Sequence, residues 1–420
     1  MLIHSAGQCL TLAGGPQRGS SLGKLKIIQD AAVLIGDGHI RAVGKSRELR
    51  AVHPNEEMLD AQGRVLMPGF VDAHSHPIWA GDRAAEFEQR LQGKTYLEIL
   101  EAGGGILSTV KATRAASMEK LLEQTRPRLR RMFAHGSTTI EAKSGYGLDL
   151  ETELRLLEAL LQLDSEGPWE LALTFLGAHA IPAEFKGRAG DYTNELCKNW
   201  LPELKHWWLS YAGERALPFV DVFCEMGAFD LAQSRRILES AKELDFPLKV
   251  HAEEFDHLGG TALAVELGAI SADHLVSVSP EDIAALGNSE TVAVALPATP
   301  FGLGNTKHMP AREILAANGL LAVASDLNPG TAWCENIQFS LALACRNLGL
   351  TPAEAIAAAT INGAAAIGRE TEIGSSEVGK QADLLILDVA DYRHLGYRFG
   401  TNLVHTVIKK GVPTLAKEES

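Results

Sequence analysis

The feature that most limits how this chain can fold is an alternation running through its middle, where short apolar runs are separated by longer amphipathic stretches. The runs fall at residues 65–71, 137–142, 170–176, 218–223, 247–251, 269–274, 291–296 and 320–325. Residues 118–134, 150–163, 228–244 and 311–318, lying between them, carry the 3.6-residue apolar period of helices. Eight such βα units predict a closed (β/α)8 barrel, because an open doubly wound sheet more often shows a glycine-rich phosphate turn after its first strand. No such turn is present; Gly103-Gly104-Gly105 follows a helix-like segment and reads as a loop.

The chain of 420 residues is longer than the roughly 250 a barrel uses, and its ends have a different character. Residues 25–29, 32–35 and 39–43 read as short strands, with Gly36-Asp37-Gly38 as a hairpin turn between the last two. Residues 382–387 and 404–409 read likewise, and Lys410-Gly411 marks a further turn. The expected organisation is a β-sandwich domain built from both termini, residues 1–66 and 371–420, with the barrel, residues 67–370, inserted between them. With 39 basic and 53 acidic residues the net charge is −14, which repels a phosphate backbone and argues against nucleic acid as a partner. No run approaches the ~18 apolar residues of a membrane span and the start lacks a signal-peptide pattern, so a cytoplasmic protein without membrane partner is expected. The five cysteines are scattered without CxxC spacing and read as reduced thiols.

In such a barrel, chemistry sits at the C-terminal ends of the strands. The first run leads into Asp72-Ala73-His74-Ser75-His76, and extended residues at i and i+2 face the same way, so His74 and His76 can offer two imidazoles to one ion. The fifth run ends at His251, the sixth at His274, and the eighth leads into Asp326. Imidazoles and a carboxylate with an open position suit one divalent ion per chain, Zn²⁺ or Fe²⁺.

The order of these groups, with Met67-Pro68-Gly69-Phe70-Val71-Asp72-Ala73-His74-Ser75-His76 leading out of a β-rich N-terminal segment, resembles the amidohydrolase superfamily over nearly the whole chain. The resemblance implies metal ligands at His74, His76, His251 and Asp326, with His274 not ligating or serving a second ion. It also implies a mononuclear site, because the fourth run, ending Phe223-Cys224-Glu225, lacks the lysine that bridges two ions in binuclear members. Gly81-Asp82-Arg83, Lys143-Ser144-Gly145-Tyr146-Gly147, Phe175-Leu176-Gly177-Ala178-His179, His251-Ala252-Glu253-Glu254 and Ser325-Asp326-Leu327-Asn328-Pro329-Gly330-Thr331 are similar to the members that open an imidazolone ring in histidine degradation.

The small-molecule substrate so implied is 4-imidazolone-5-propanoate. Arg83 is the expected clamp on its carboxylate, through paired N–H donors. Tyr146 and His179 are expected against ring or tail, with His179 as a donor. The resemblance selects Glu254 rather than Glu253 as the carboxylate facing substrate, leaving Glu253 a supporting or surface role. Asn328, Gly330 and Thr331 form a turn whose backbone N–H groups are expected to reach a bound anion. The catalytic set is then Asp326 as base, His274 on the developing oxyanion and Asp326 or Glu254 as proton donor to the departing nitrogen. A nucleobase aminohydrolase, another cyclic amidase and a non-catalytic barrel scaffold are the competing readings, and a homodimer is left open.

Overall fold

The computed structural model describes residues 1–94 and 104–416. Of the Gly103–Gly105 loop, Gly103 lies outside the described residues, while Gly104 and Gly105 lead into a helix, Ile106–Ala115. The chain opens with strands β1 (Leu2–Leu10), β2 (Ile27–Gly36), β3 (His39–Lys45), β4 (Met58–Asp60) and β5 (Val65–Pro68). The barrel strands follow: β6 (Phe70–Asp72), β7 (Ser137–Lys143), β8 (Glu170–Ala178), β9 (Phe219–Cys224), β10 (Leu248–Ala252), β11 (Ser271–His274), β12 (Val292–Ala295) and β13 (Leu320–Val323). Strands β14 (Leu384–Leu387), β15 (Val404–Lys409) and β16 (Val412–Ala416) come last.

Strands β6 to β13 pair in sequence order and all in parallel. Closure occurs just past the last strand: the Asp326 amide donates to the His74 carbonyl at 3.0 Å and the His76 amide to the Leu327 carbonyl at 2.8 Å. The Ser325 amide adds a bond to the Asp72 carboxylate at 2.9 Å. At the opposite end of this seam, Asn362 donates to the Leu321 carbonyl and the Ala359 carbonyl accepts from Val71. The expected (β/α)8 barrel is therefore the fold, and its seam runs between the two segments that carry His74, His76 and Asp326.

The terminal segments form a second sheet in the order β16-β15-β14-β5-β1-β2-β3, with β4 beside β1. It bends so that a bridge between His39 and Gln381 brings β3 back to the approach of β14, wrapping Ile3, Val33, Ile35, Ile40, Leu66, Leu384 and Ile408 into an apolar layer of its own.

Three details differ from the reading of the sequence. The run at 65–71 is two strands: β5 pairs antiparallel with β14 in the terminal sheet, and β6 pairs with β7 in the barrel. The switch falls at Gly69, where a Cβ would stand 2.3 Å from Thr138 Oγ1, so only glycine lets the chain pass there. The runs at 25–29 and 32–35 are one strand, β2, continued through Asp30 at φ 48°. Strand β1, central to the terminal sheet, is missed altogether because His4, Ser5 and Gln8 interrupt its apolar pattern.

The helices pack outside the barrel. Met118–Ala134 is capped by Ser117, Leu150–Glu166 by Asp149, and Leu231–Glu243 by an Asp230–Gln233 capping box. Among the described residues no helix is long and apolar enough to cross a membrane. Of the five cysteines, all free thiols, Cys9 and Cys224 are buried.

Candidate active site

The histidines meet at the C-terminal mouth of the barrel on three strand ends, with Asp326 on a fourth. The His74 ring centroid lies 5.3 Å from that of His76, 4.5 Å from that of His251 and 5.4 Å from that of His274. Asp326 Oδ1 is 3.5 Å from His74 Nε2 and 3.6 Å from His76 Nε2, and the His76 and His251 Nε2 atoms are 3.4 Å apart. Potential ligand atoms of His74, His251 and His274, and of His74, His76 and Asp326, lie within 4.8 Å of one another. Asp326 takes up a left-handed backbone, φ 52°, and its other oxygen accepts from the Thr299 hydroxyl.

These groups are almost wholly buried, and their environment decides their charge. Burial, reinforced by Lys143 and the neighbouring rings, holds His74 well below the ordinary histidine range; burial and adjacent His179 and His251 do the same for His76. Burial raises the Asp326 carboxyl to about 6, against the Thr299 hydrogen bond and His251. His74 Nε2 is buried without a hydrogen-bond partner, which is costly for a polar atom unless a ligand engages it. Neutral imidazoles with an orphaned nitrogen aimed at a carboxylate are a donor set that fits a divalent metal ion.

Beneath the histidines lies a layer of charge that the sequence reading left unassigned. Asp273 Oδ2 accepts from His74 Nδ1 at 2.6 Å, and Asp221 Oδ2 is 2.9 Å from His251 Nδ1. Lys143 Nζ binds Glu141 at 2.6 Å and Asp221 at 2.8 Å, and Lys249 Nζ binds the other Glu141 oxygen at 3.0 Å. Burial alone would raise Asp221, but His251 and Lys143 more than offset it and hold the carboxyl well below its usual range. A charged residue in an otherwise apolar strand, at two-residue spacing in Glu141/Lys143 and Lys249/His251, is the signal by which these residues could have been found.

Around the histidine cluster the expected substrate residues assemble. Tyr146 is buried, 6.0 Å from the His76 ring and 5.3 Å from the His179 ring. Burial and Asp326 push its phenol up, against Arg83 and Arg128, so it stays a neutral donor. Its loop is fixed by Glu153, whose carboxylate accepts from the amides of Gly145, Gly147 and Leu148. His179 stacks on His76 at 5.2 Å, and its Nδ1 lies 2.9 Å from the Gly145 carbonyl. A carbonyl only accepts, so Nδ1 carries the proton. Because burial lowers this ring to about 3 it is neutral, and its Nε2 is an acceptor rather than the expected donor.

Glu254 Oε2 is 3.6 Å from His274 Nε2, and the two residues line a cavity of about 140 Å³ with Thr299, Phe255, Leu303 and Lys307. Burial, with Asp326 and Glu225 nearby, raises the Glu254 carboxyl well above the usual range. Glu253 turns the other way and is fully buried, which corrects any surface role. Its oxygens accept from the amides of Gly259, Gly260 and Thr261 and from the Thr261 hydroxyl, anchoring the start of the helix Gly260–Leu267. Glu225 is similarly committed, to the amides of Met226, Phe255 and Asp256.

Arg83 is a partly buried side chain whose Nε donates to Glu86 at 2.7 Å, leaving its outer nitrogens toward Gly330. Arg90 donates to the Gly330 carbonyl at 3.3 Å. The expectation that the Gly330 and Thr331 amides reach a ligand is not met: both donate to Asn328 Oδ1 at 2.8 Å, while Asn328 Nδ2 holds the Asp326 carbonyl. These three residues shape the loop beside Asp326.

Fold and site together define a metal-dependent hydrolase of the amidohydrolase type, and residues 65–414 match the profile of the amidohydrolase family. A relative from Herpetosiphon aurantiacus named imidazolonepropionase is 52% identical over 410 residues, 98% of this chain and 96% of the relative. One of the same name from Chloroflexus aggregans is 47% identical over 422 residues, covering 100% of this chain and 99% of the relative. The chain belongs to the amidohydrolase family, in its imidazolonepropionase branch. Among solved structures, E. coli guanine deaminase superposes with a TM-score of 0.75 at 14% identity, covering 99% of both chains. A zinc-bound adenosine deaminase from Xanthomonas campestris gives 0.69 at 20% identity, covering 99% of this chain and 92% of the other; both likenesses concern the fold.

Proposed function

We propose that the protein hydrolyses the ring C–N amide bond of 4-imidazolone-5-propanoate, giving N-formimidoyl-L-glutamate in histidine degradation. The observation that carries this reading is the convergence of His74, His76, His251 and Asp326 next to a cavity lined by Glu254 and His274, in a chain so similar to imidazolonepropionases. His74, His76, His251 and Asp326 would hold one Zn²⁺ or Fe²⁺. Such an ion acts as a Lewis acid and lowers the pKa of water from 15.7 toward ~7.

The protein's own groups do the rest. Asp326, anchored by Thr299 on one oxygen, turns the other toward His74 and His76 and accepts the proton of the attacking water. His274, held neutral chiefly by burial, donates an N–H to the oxyanion developing on the ring carbonyl. Burial raises the Glu254 carboxyl and so favours its protonated form, and it delivers that proton to the departing ring nitrogen. Arg83 takes the propanoate through its outer nitrogens while Glu86 keeps Nε, and Tyr146 and His179 bracket the ring as donor and acceptor.

The test is the loss of imidazolone ultraviolet absorbance with protein carrying a measured amount of Zn²⁺ or Fe²⁺. Turnover of the imidazolone by the loaded wild type, with a sharply raised KM in Arg83→Ala, is the expected result. Ammonia release from guanine or cytosine with no action on the imidazolone would overturn it.

A further inference from the structure

We propose that Lys143 is a positioning residue for the metal ligands, acting through two carboxylates to fix the rings of His74 and His251. The inference rests on the metal-site reading above and goes beyond it to the layer underneath.

Lys143 ends β7 and shares a face with Glu141. Its ammonium lies 2.8 Å from Asp221 Oδ2 and 3.8 Å from Asp273 Oδ2. These are the same two oxygens that meet the histidines: Asp221 Oδ2 is 2.9 Å from His251 Nδ1, and Asp273 Oδ2 is 2.6 Å from His74 Nδ1. Each oxygen is thus shared between one lysine and one imidazole. All the side chains involved are fully or almost fully buried, so no solvent competes for them.

Asp273 Oδ2 is hydrogen-bonded to His74 Nδ1 and Asp221 Oδ2 stands in ion-pair contact with His251 Nδ1; a proton on Nδ1 of each ring satisfies these oxygens and leaves Nε2 with the lone pair that a metal needs. Three carboxylates, Glu141, Asp221 and Asp273, crowd this layer, and at such range in a buried site their repulsion is strong. Lys143 is the cation that touches all three. Without it Asp221 and Asp273 repel and swing off the rings, and both imidazoles lose the carboxylate contact that sets their tautomer and tilt.

Lys249 supplies an internal contrast. It is equally buried, but its ammonium binds Glu141 at 3.0 Å and the carbonyls of Ala73 and Ala366 at 3.0 and 3.1 Å. It acts on Asp273 through space rather than by contact and touches neither oxygen that faces a histidine, so a purely structural need for buried cations would treat the two lysines alike.

The experiment measures Zn²⁺ affinity of metal-free protein by competition with a chromophoric chelator, with the Co²⁺ absorption spectrum as a geometric readout. Wild type, Lys143→Met, Lys249→Met, Asp273→Asn and the double variant K143M/D273N are compared, with circular dichroism to confirm folding. Lys143→Met is expected to weaken Zn²⁺ about 10- to 100-fold and alter the Co²⁺ spectrum. Lys249→Met is expected to stay within about threefold of wild type while melting earlier. K143M/D273N should bind no more weakly than the poorer single variant, since both act on one chain of contacts. Equal weakening by the two lysine variants, or effects of K143M and D273N that multiply, would overturn the proposal. Should K143M fail to fold, the charge-matched E141Q/K143M variant takes its place with the same expected loss, and wild-type affinity there would overturn it. Wild-type protein that binds no Zn²⁺ or Fe²⁺ would instead sink the underlying metal reading.

Discussion

Gly330→Ala tests whether Arg83 stands where the substrate needs it. Gly330 has no left-handed φ, so alanine is compatible with its backbone. The added methyl would, however, lie 2.4 Å from Arg83 Nη1, about an ångström inside ordinary contact, and 3.3 Å from Cζ. Arg83 is the flexible partner and must yield, but Glu86 holds its Nε at 2.7 Å, so the outer nitrogens swing while the inner one stays. Losing aligned hydrogen bonds between guanidinium and carboxylate is worth roughly 1.5–3 kcal/mol, a fall of about 10- to 150-fold in kcat/KM expressed mainly in KM. The fold should be untouched, with stability within about 1 kcal/mol of wild type. Steady-state kinetics on the imidazolone provide the assay, with Arg83→Ala as the ceiling and the double variant expected to be no worse than Arg83→Ala alone. A kcat/KM within twofold of wild type in Gly330→Ala would refute the idea that the observed Arg83 position is the one that binds the tail.

Glu254→Gln should lower kcat by about 10²–10⁴ with a smaller change in KM. Because the raised Glu254 carboxyl must keep its proton to act as an acid, wild-type kcat should fall as pH rises past that pKa, and a pH–rate profile of the residual activity in Glu254→Gln should lack this alkaline limb. Glu253→Ala, which strips the acceptor from three amides and a hydroxyl at one buried helix start, should cost about 3–5 kcal/mol in urea unfolding; a change under 1 kcal/mol would contradict the hydrogen bonding described. Chelation should abolish activity and lower Tm, since an ion present at a thousand times its Kd contributes about 4 kcal/mol; Zn²⁺ or Fe²⁺ should restore both, and an unmoved Tm would count against the ligand set.

The sequence revealed most of the groups proposed to hold the ion and little of what stands behind them. His74/His76, His251, His274 and Asp326 were legible because each ends a run of strand character, and strand ends in a barrel share one rim. Glu254 became legible only through a family resemblance, since two adjacent glutamates are indistinguishable until the backbone is known; at Glu253 it adopts φ 51°, turning one carboxylate into the helix start and the other into the cavity. The buried ionic layer was hidden for a different reason. His74 meets Asp273 across 199 residues and Lys143 meets Asp221 across 78, so these pairs exist only once parallel strands fix which neighbours face each other. The Asn328 turn misled in the opposite direction: its composition rightly marks a tight loop, but the same asparagine that makes the turn consumes the amides expected to be free.

The backbone bonds from Asp326 to His74 and from His76 to Leu327 join the first and the last strand of the barrel along one seam. Its two lips are made early and late in translation, so a ribosome-bound chain that has not yet emitted its eighth strand has an open cylinder and an incomplete ion cage. A chain that ends before its eighth strand therefore cannot close the cylinder and lacks Asp326, the carboxylate among the four groups proposed to hold the ion.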